Sequence, residues 1–388
     1  MSPSPLRIGF LINPIAGMGG RVGLHGTDGD LLLRAKERGA LPHSCDRARI
    51  TLESLSPLHL GEIEFLAPTG SMGGELLDQL GIAYEKAKKQ VSVDDSAETS
   101  SDDTKEVIGE LLKHDLDLIL FAGGDGTARD IFDLVKDRIP ILGIPSGVKM
   151  RSGVFGLNPR DVSEILSRLI SQSERRYTSA EILDLGIGAI DYSSSEFFGV
   201  AKTPYAPDLL QRSKTTHATT SEAGLKELAR NFANHLRPET LYLFGPGGST
   251  HLVLEEILKD GSQDLDAAGV HAIINRDLVG EDLGEREILE LVAKNPNSEL
   301  VVGVIGGQGY LFGRGNQQLS AAVIDRIGWE RIFILASGAK LMELMPVQLH
   351  VDFTEPLSSP PPTFVKVHTS PSRSVVCRLL NRVASPDK

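Results

Sequence analysis

A strand-length apolar run at residues 116–121 stops in Gly123-Gly124-Asp125-Gly126-Thr127, and apolar residues at helical spacing, Ile131, Leu134 and Val135, follow at once. Few folds accommodate that order. Apart from Asp117 the run is apolar on both of its faces, so the strand must be covered on both sides, and a helix follows it directly. This is the pattern of a parallel sheet in an α/β protein. The junction also sets one carboxylate, Asp125, at the carboxyl end of a buried strand, between residues that have no side chain to block a ligand. Open α/β sheets bind ligands at that edge. The chemistry suggested is phosphoryl transfer, with Asp125 beside an acceptor hydroxyl or a metal ion.

The same alternation recurs along the chain. Strands are expected at residues 6–12, 62–66, 116–121, 139–144, 181–190, 241–244, 300–305 and 331–335. Helices are expected at 76–88, with Gly81 as a weak point, and at 105–113 and 127–137. Another starts at Asn158-Pro159, where Asn caps and Pro fits the first helical position. A further amphipathic helix carries Leu225, Leu228, Ala229, Phe232 and Leu236. Residues 92–106 read as an exposed acidic loop leading into a helix, and 192–220, rich in Ser, Thr and Pro, as a loop. The expected fold is α/β with two domains. Residues 1–155 form an open, mostly parallel sheet with helices on both faces. Residues 156–353 form a mixed α/β or β-rich second domain, of which 331–353 are placed to pack back on the first. After the prolines at 360–362, residues 354–388 read as a weakly packed extension with at most one strand, at 364–368.

Bulk properties exclude several classes. The chain has 388 residues with 40% hydrophobic content, enough for two or three domains of roughly 150 residues. Its formal net charge of -12 argues against nucleic acid and against an anionic membrane surface. No apolar run reaches the ~20 residues that span a bilayer. Residues 6–12 read as a first strand rather than a signal peptide. Cys45 and Cys377 match no metal spacing and suit a reducing compartment. A cytoplasmic protein that binds small molecules is the expectation.

Five loops repeat one design, an apolar strand followed by small and then polar residues. They are Asn13 to Arg21, Gly123 to Thr127, Pro145 to Lys149, Gly245 to Thr250, and Gly306 to Gln318. Glycines let backbone N–H groups approach an anion, and a following helix adds its positive end. Five such loops at strand ends are hard to explain as turns alone. Neither Gly-x4-Gly-Lys-Ser/Thr nor a Gly-x-Gly-x-x-Gly unit is present, so the phosphate scaffold is a different one.

Gly123 to Thr127 resembles the hallmark of the superfamily that joins NAD kinases with diacylglycerol- and sphingosine-type lipid kinases. Asn13-Pro14 resembles its Asn-Pro-x-x-Gly phosphate loop. With Gly26-Thr27-Asp28-Gly29, residues 143–155 and residues 306–318, the chain looks like the prokaryotic ATP-NAD kinase-like group, which includes AcoX-type proteins. The resemblance implies a two-domain NAD kinase/diacylglycerol kinase-like fold and transfer of a phosphoryl group from ATP (or polyphosphate) to the adenosine-ribose 2′-hydroxyl of NAD, giving NADP with Mg2+. It implies a homo-oligomer with nucleotide partners, neither nucleic acid nor membrane.

By the same resemblance Asp125 is the catalytic carboxylate, which accepts or orients the proton of the acceptor hydroxyl, and a Mg2+ contact. Asn13, Gly17, Gly19, Gly20 and Arg21 cradle donor phosphates, Arg21 being otherwise a solvated arginine. Gly123, Gly124 and Gly126 shape the central loop, where Thr127 either bonds a phosphate or caps the helix. Ser146 and Gly147 are taken as nucleotide contacts, Lys149 either offsets charge on the transferring phosphoryl group or is an exposed lysine, and Arg129 reaches a phosphate. Gly247, Gly248, Ser249 and Thr250 line the dinucleotide site. Arg314, Asn316 and Gln317 are polar groups beside a glycine loop, Asn316 being taken as a nucleotide contact. Asp28 is a metal or ribose contact or a turn residue, and Asp184 and Asp352 read as structural acids. His25, His217 and His251 show no metal spacing. The sequence departs from the group at His25, where lysine is usual, at His271, where aspartate is usual, and most of all over residues 192–220, the stretch expected to contact the acceptor. Rival readings are a non-catalytic nucleotide-binding protein and a kinase for another small hydroxyl or lipid acceptor.

Overall fold

The structure, a computed structural model, describes residues 4–23, 30–87, 99–148, 150–172, 174–184, 196–211, 222–259, 265–305, 309–342, 344 and 347–381. The chain divides into two compact units. The first holds residues 1–18, 26–32 and 41–214, and the second holds 19–25, 33–40 and 215–388.

The first unit is built on β1 (Leu6–Ile12), β2 (Ile63–Ala67), β3 (Tyr84–Lys86), β4 (Leu118–Gly123) and β5 (Ile141–Pro145). All neighbours pair in parallel, in the order β3-β2-β1-β4-β5. Its helices are α1 (Asp30–Glu37, shared with the second unit), α2 (Ser44–Glu53), α3 (Pro57–Gly61), α4 (Gly74–Gln79), α5 (Ser101–Leu111), α6 (Asp125–Val135) and α7 (Pro159–Ser171). Successive side chains of a strand point to opposite faces, and β4 uses both. Leu118, Leu120 and Ala122 pack with Leu52 of α2 and Val162 and Leu166 of α7. Ile119 and Phe121 pack with Ile108 and Leu111 of α5 and with Ala128 and Ile131 of α6. That two-sided burial is why the run lacks polar alternation. The chain walks from β1 out to β3, then returns to β4 beside β1. The winding therefore reverses between β1 and β4, the point at which such sheets open a crevice.

Local signals acted largely as expected. Asn158 caps α7, its side chain accepting from Arg160 N at 2.9 Å and Asp161 N at 3.0 Å. Ser100 and Asp103 form a capping box on α5, whose start at Ser101 is earlier than the expected 105. The expected helix over 76–88 is corrected: α4 ends at Gln79, Gly81 takes φ 66°, and β3 follows. Only a residue without Cβ turns there cheaply. The loop expected at 192–220 is corrected too, since β7 (Glu196–Pro204) pairs antiparallel with β6 (Tyr177–Asp184). The first unit extends to residue 214 rather than 155. The cause is α7, which packs on α2, with Thr51 Oγ1 donating to the Pro159 carbonyl at 3.0 Å.

The second unit contains α8 (Glu222–Asn234), β8 (Leu241–Phe244), α9 (Gly248–Leu258), β9 (His271–Ile274), β10 (Asp277–Gly280), α10 (Glu285–Lys294), β11 (Ser298–Gly303) and β12 (Tyr310–Phe312). It continues with α11 (Ala321–Ile327), β13 (Ile332–Leu335), α12 (Gly338–Met342), β14 (Gln348–Val351), β15 (Phe364–Ser370) and β16 (Arg373–Asn381). Its mixed sheet runs β10-β9-β8-β11-β13-β15-β16-β14-β12. Residues 331–353 supply β13 and β14 to this sheet. The weakly packed extension is likewise corrected. β15 lies between β13 and β16, with Val365, Val367, Cys377 and Leu379 in the core. The prolines only connect; the alternation that follows them builds central strands.

If 364–381 are core, Leu379→Ala costs roughly 2–5 kcal/mol by the scale for buried leucines. Urea unfolding followed by circular dichroism measures it; a loose tail would show no change.

Candidate active site

Three loops meet at the carboxyl edge of β1, β4 and β5. Asn13 leaves β1 with its N–H on the Ala122 carbonyl, 2.9 Å. Its side chain donates to Thr127 Oγ1 at 3.0 Å and accepts from Ile15 N at 3.3 Å. Ser146 N and Gly147 N both donate to the Gly123 carbonyl, at 3.0 and 3.2 Å. The glycines are what allow this contact. A Cβ on Gly17, at φ +78°, would lie 1.9 Å from the Ser146 carbonyl oxygen, and one on Gly147 would lie 2.8 Å from Gly124 Cα. A Cβ on Gly123 would lie 2.6 Å from Thr127 Cβ. From α2 and the residue before it, His43 Nε2 meets the Gly17 carbonyl at 3.1 Å, Ser44 Oγ donates to Ala16 O at 2.8 Å, and buried Arg47 Nε donates to Pro145 O. Asn13, Gly17, Gly123, Gly124, Asp125, Gly126, Thr127, Ser146 and Gly147 thus share one edge, flanking the switch point.

Asp125 opens α6 and is buried. Its Oδ2 accepts from Arg151 N at 2.7 Å; its Oδ1 accepts from Ser152 N at 3.0 Å and Ser152 Oγ at 2.7 Å. Burial pushes its pKa from 3.8 up to about 7, the Ser152 and Arg151 hydrogen bonds pull it back, and the nearby Asp184 charge adds to the rise. Desolvation outweighs the three donors. Asp184, at the end of β6, binds Arg129 Nη1 at 2.6 Å. Arg129 also contacts Asp130 Oδ1 at 3.3 Å and lies 5.6 Å over the Phe198 ring. Asp130 in turn accepts from Ser101 Oγ at 2.7 Å, with Lys105 at 3.8 Å. The arginine expected on a phosphate is therefore held by two carboxylates.

Most of the other expected residues, Gly19, Gly20 and Arg21 among them, belong to the second unit. There Arg21 pairs with Glu355, with Glu285 at 4.0 Å, and a Cβ on Gly20 would press on Gln317. Gly247, Gly248, Ser249 and Thr250 form the turn from β8 into α9, where Thr250 Oγ1 lies 2.6 Å from both the Gly245 and Gly247 carbonyls. Asn316 is a buried turn residue. Its Nδ2 donates to Leu311 O at 2.9 Å and its Oδ1 accepts from Gly313 N at 3.1 Å. Arg314 pairs with Asp352 at 3.0 Å. His271 is buried, with Nε2 on Asp266 O at 2.8 Å and Nδ1 accepting from Asp282 N at 3.4 Å. These partners fix the Nε2–H tautomer. Lys149, His25, residues 26–29, His217 and 306–308 lie outside the described residues.

Among the described residues no group of three or more His, Cys, Asp or Glu side chains is placed to hold a metal ion. Asp125 spends both oxygens on three donors and Asp184 is committed to Arg129. Arg47, Ser152, Asp184 and the Arg151 amide were not legible as site residues in the sequence. Ser152 lies six residues past Ser146 in a loop with no periodicity, and Asp184 and Arg47 carry no local motif.

Residues 8–174 match the defining pattern of the ATP-NAD kinase N-terminal domain. The chain is NAD kinase-like over these residues. None of the curated proteins matches the chain, and none of the solved structures does. The NAD kinase-like match covers all of β1 but its first two residues, and β2 to β5, and so includes every loop at the edge just described. Among the described residues no helix is long and apolar enough to cross a membrane.

The electrostatics of this domain are measurable. The Asp125 carboxyl ionises near 3.8 when exposed and near 7 when folded. The unfolded chain therefore holds fewer protons between these values, so this group's favourable contribution is present below about pH 4 and is lost as pH rises through about 7, a change on the order of 4 kcal/mol. Urea midpoints of wild type and Asp125→Asn from pH 4 to 8 test it. Wild type should lose ground to the variant as pH rises, and a constant difference would contradict the assignment.

Proposed function

We propose that the chain is a phosphotransferase that moves a phosphoryl group from ATP (or polyphosphate) to the adenosine-ribose 2′-hydroxyl of NAD, giving NADP. The observation that carries this reading is Asp125: a buried carboxylate at the switch point of an NAD kinase-like domain, with a pKa near neutrality. A base poised near the working pH accepts a hydroxyl proton most effectively. In this reading Asp125 takes the proton of the acceptor hydroxyl as the oxygen attacks the terminal phosphorus and the bond to the leaving phosphate breaks. The glycine loops bring backbone N–H groups and the positive end of α6 to the phosphates. Mg2+, bound with the ATP substrate, would shield phosphate charge. Positioning and charge stabilisation supply most of the rate. A homo-oligomer in the cytoplasm belongs to the same reading.

One observation favours a second reading, a non-catalytic nucleotide-binding protein. Both Asp125 oxygens are already engaged by the loop at Arg151 and Ser152. A kinase of another hydroxyl acceptor keeps the same edge and differs only in the acceptor.

Incubation with Mg-ATP and NAD, with NADP read by an NADP-specific dehydrogenase, separates these. NADP should form, and Asp125→Asn should lower kcat by about 100-fold or more, the scale of a lost general base, while nucleotide binding persists. Binding without turnover in wild type would favour the second reading.

A further inference from the structure

Asp125, Ser152, Leu183, Asp184 and Arg129 form a closed circuit. Ser152 is fully buried. Its hydroxyl accepts from Leu183 N at 3.1 Å. Its single proton faces two acceptors, Asp125 Oδ1 at 2.7 Å and Leu183 O at 2.9 Å. A hydroxyl has one proton to give, so Ser152 joins the Asp125 carboxylate and the backbone of β6 through one atom. The β6–β7 register shifts between Ile182 and Leu183, and Ser152 meets both polar groups of Leu183 there. The next residue, Asp184, binds Arg129 at 2.6 Å. Arg129 lies four residues after Asp125 on α6, one turn along the same face. The circuit closes through the helix.

We propose that Ser152, Asp184 and Arg129 are positioning residues that hold the Asp125 carboxylate and the end of β6 as one unit. This rests on the phosphotransfer reading for its kinetic meaning, though not for its physical one. It also changes the role expected of Arg129. A guanidinium held by Asp184 and Asp130 and lying over the Phe198 ring is part of the frame, and no phosphate contact is needed to explain it. The charged groups around the circuit are Asp184 on β6, Arg129 and Asp130 on α6 and Lys105 on α5, while Arg151, in the loop after β5, contributes its backbone N–H. Fixing a carboxylate this way serves catalysis, because a base misplaced by about 1 Å costs on the order of 100-fold in rate.

Two measurements on the full chain test the circuit. The first is independent of activity: unfolding equilibria of wild type, Asp125→Ala, Ser152→Ala and the double variant. Contacting residues couple, so the double variant should depart from the product of the singles by more than about threefold in the unfolding constant. A departure of threefold or less overturns the proposal. The second is kinetic. Ser152→Ala, and separately Asp184→Asn, which leaves Ser152 in place, should lower kcat about tenfold while KM for NAD and for ATP stays within about threefold. A rise in KM with kcat intact would overturn the positioning role. If wild type forms no NADP but the cycle is coupled, the circuit stands and the phosphotransfer reading falls.

Discussion

The burial of β4 on both faces is the constraint on which the first unit depends. A strand with no wet side must end at a rim, and there its backbone groups need partners. The Ala122 carbonyl finds Asn13 N, and the Gly123 carbonyl finds Ser146 N and Gly147 N. These bonds draw the loops after β1 and β5 onto the loop after β4. The approach is so close that Gly17, Gly123 and Gly147 have no room for a side chain. Packing of the interior thus dictates the geometry of the edge, and Asp125 is positioned as a by-product of how the strand terminates.

Much of this was legible because it is local. The run at 116–121 and its glycines announced a buried strand that ends in a tight loop, and Asn158-Pro159 announced a capped helix. Propensity and spacing carry such information within a few residues. What sequence reading missed lies in tertiary partners. Ser152 and Leu183 are 31 residues apart, and Arg129 and Asp184 are 55 apart. No periodicity links them, so Asp184 read as a structural acid and Ser152 drew no notice. Arg129 and Arg21 read as phosphate ligands, because arginine beside a glycine loop fits that chemistry; their pairing with Asp184 and Glu355, distant in sequence, carried no local signal. The residues at 364–381 were obscured differently. Three prolines in a row suggest the end of packed structure, whereas here they only link strands.

Asp125 illustrates a balance that motif recognition does not resolve. Three donors to one carboxylate favour its charged form, and burial opposes them. Burial prevails. The acid is then neither an ordinary salt-bridged carboxylate nor a neutral one, and small changes in its surroundings decide its charge. Hydroxyl and backbone donors, in place of a direct arginine partner, are what leave it so finely set. A guanidinium beside it would lock the charge on, and Arg129, one turn away, is instead turned to Asp184.

The insertion of β15 and β16 between β13 and β14 has a consequence for how the chain is made. The first sheet draws every strand from residues before 146, so it can assemble while the remainder is still being synthesised. The second sheet cannot. Until residues 364–381 emerge, the β13 edge has no neighbour on that side, and β14 and β12 have no route into the sheet. Residues 19–25 and 33–40, made early, also belong to that late-closing unit. An apolar sheet edge therefore waits, exposed, for the last strands, and that interval is when this chain is most open to mispairing with another.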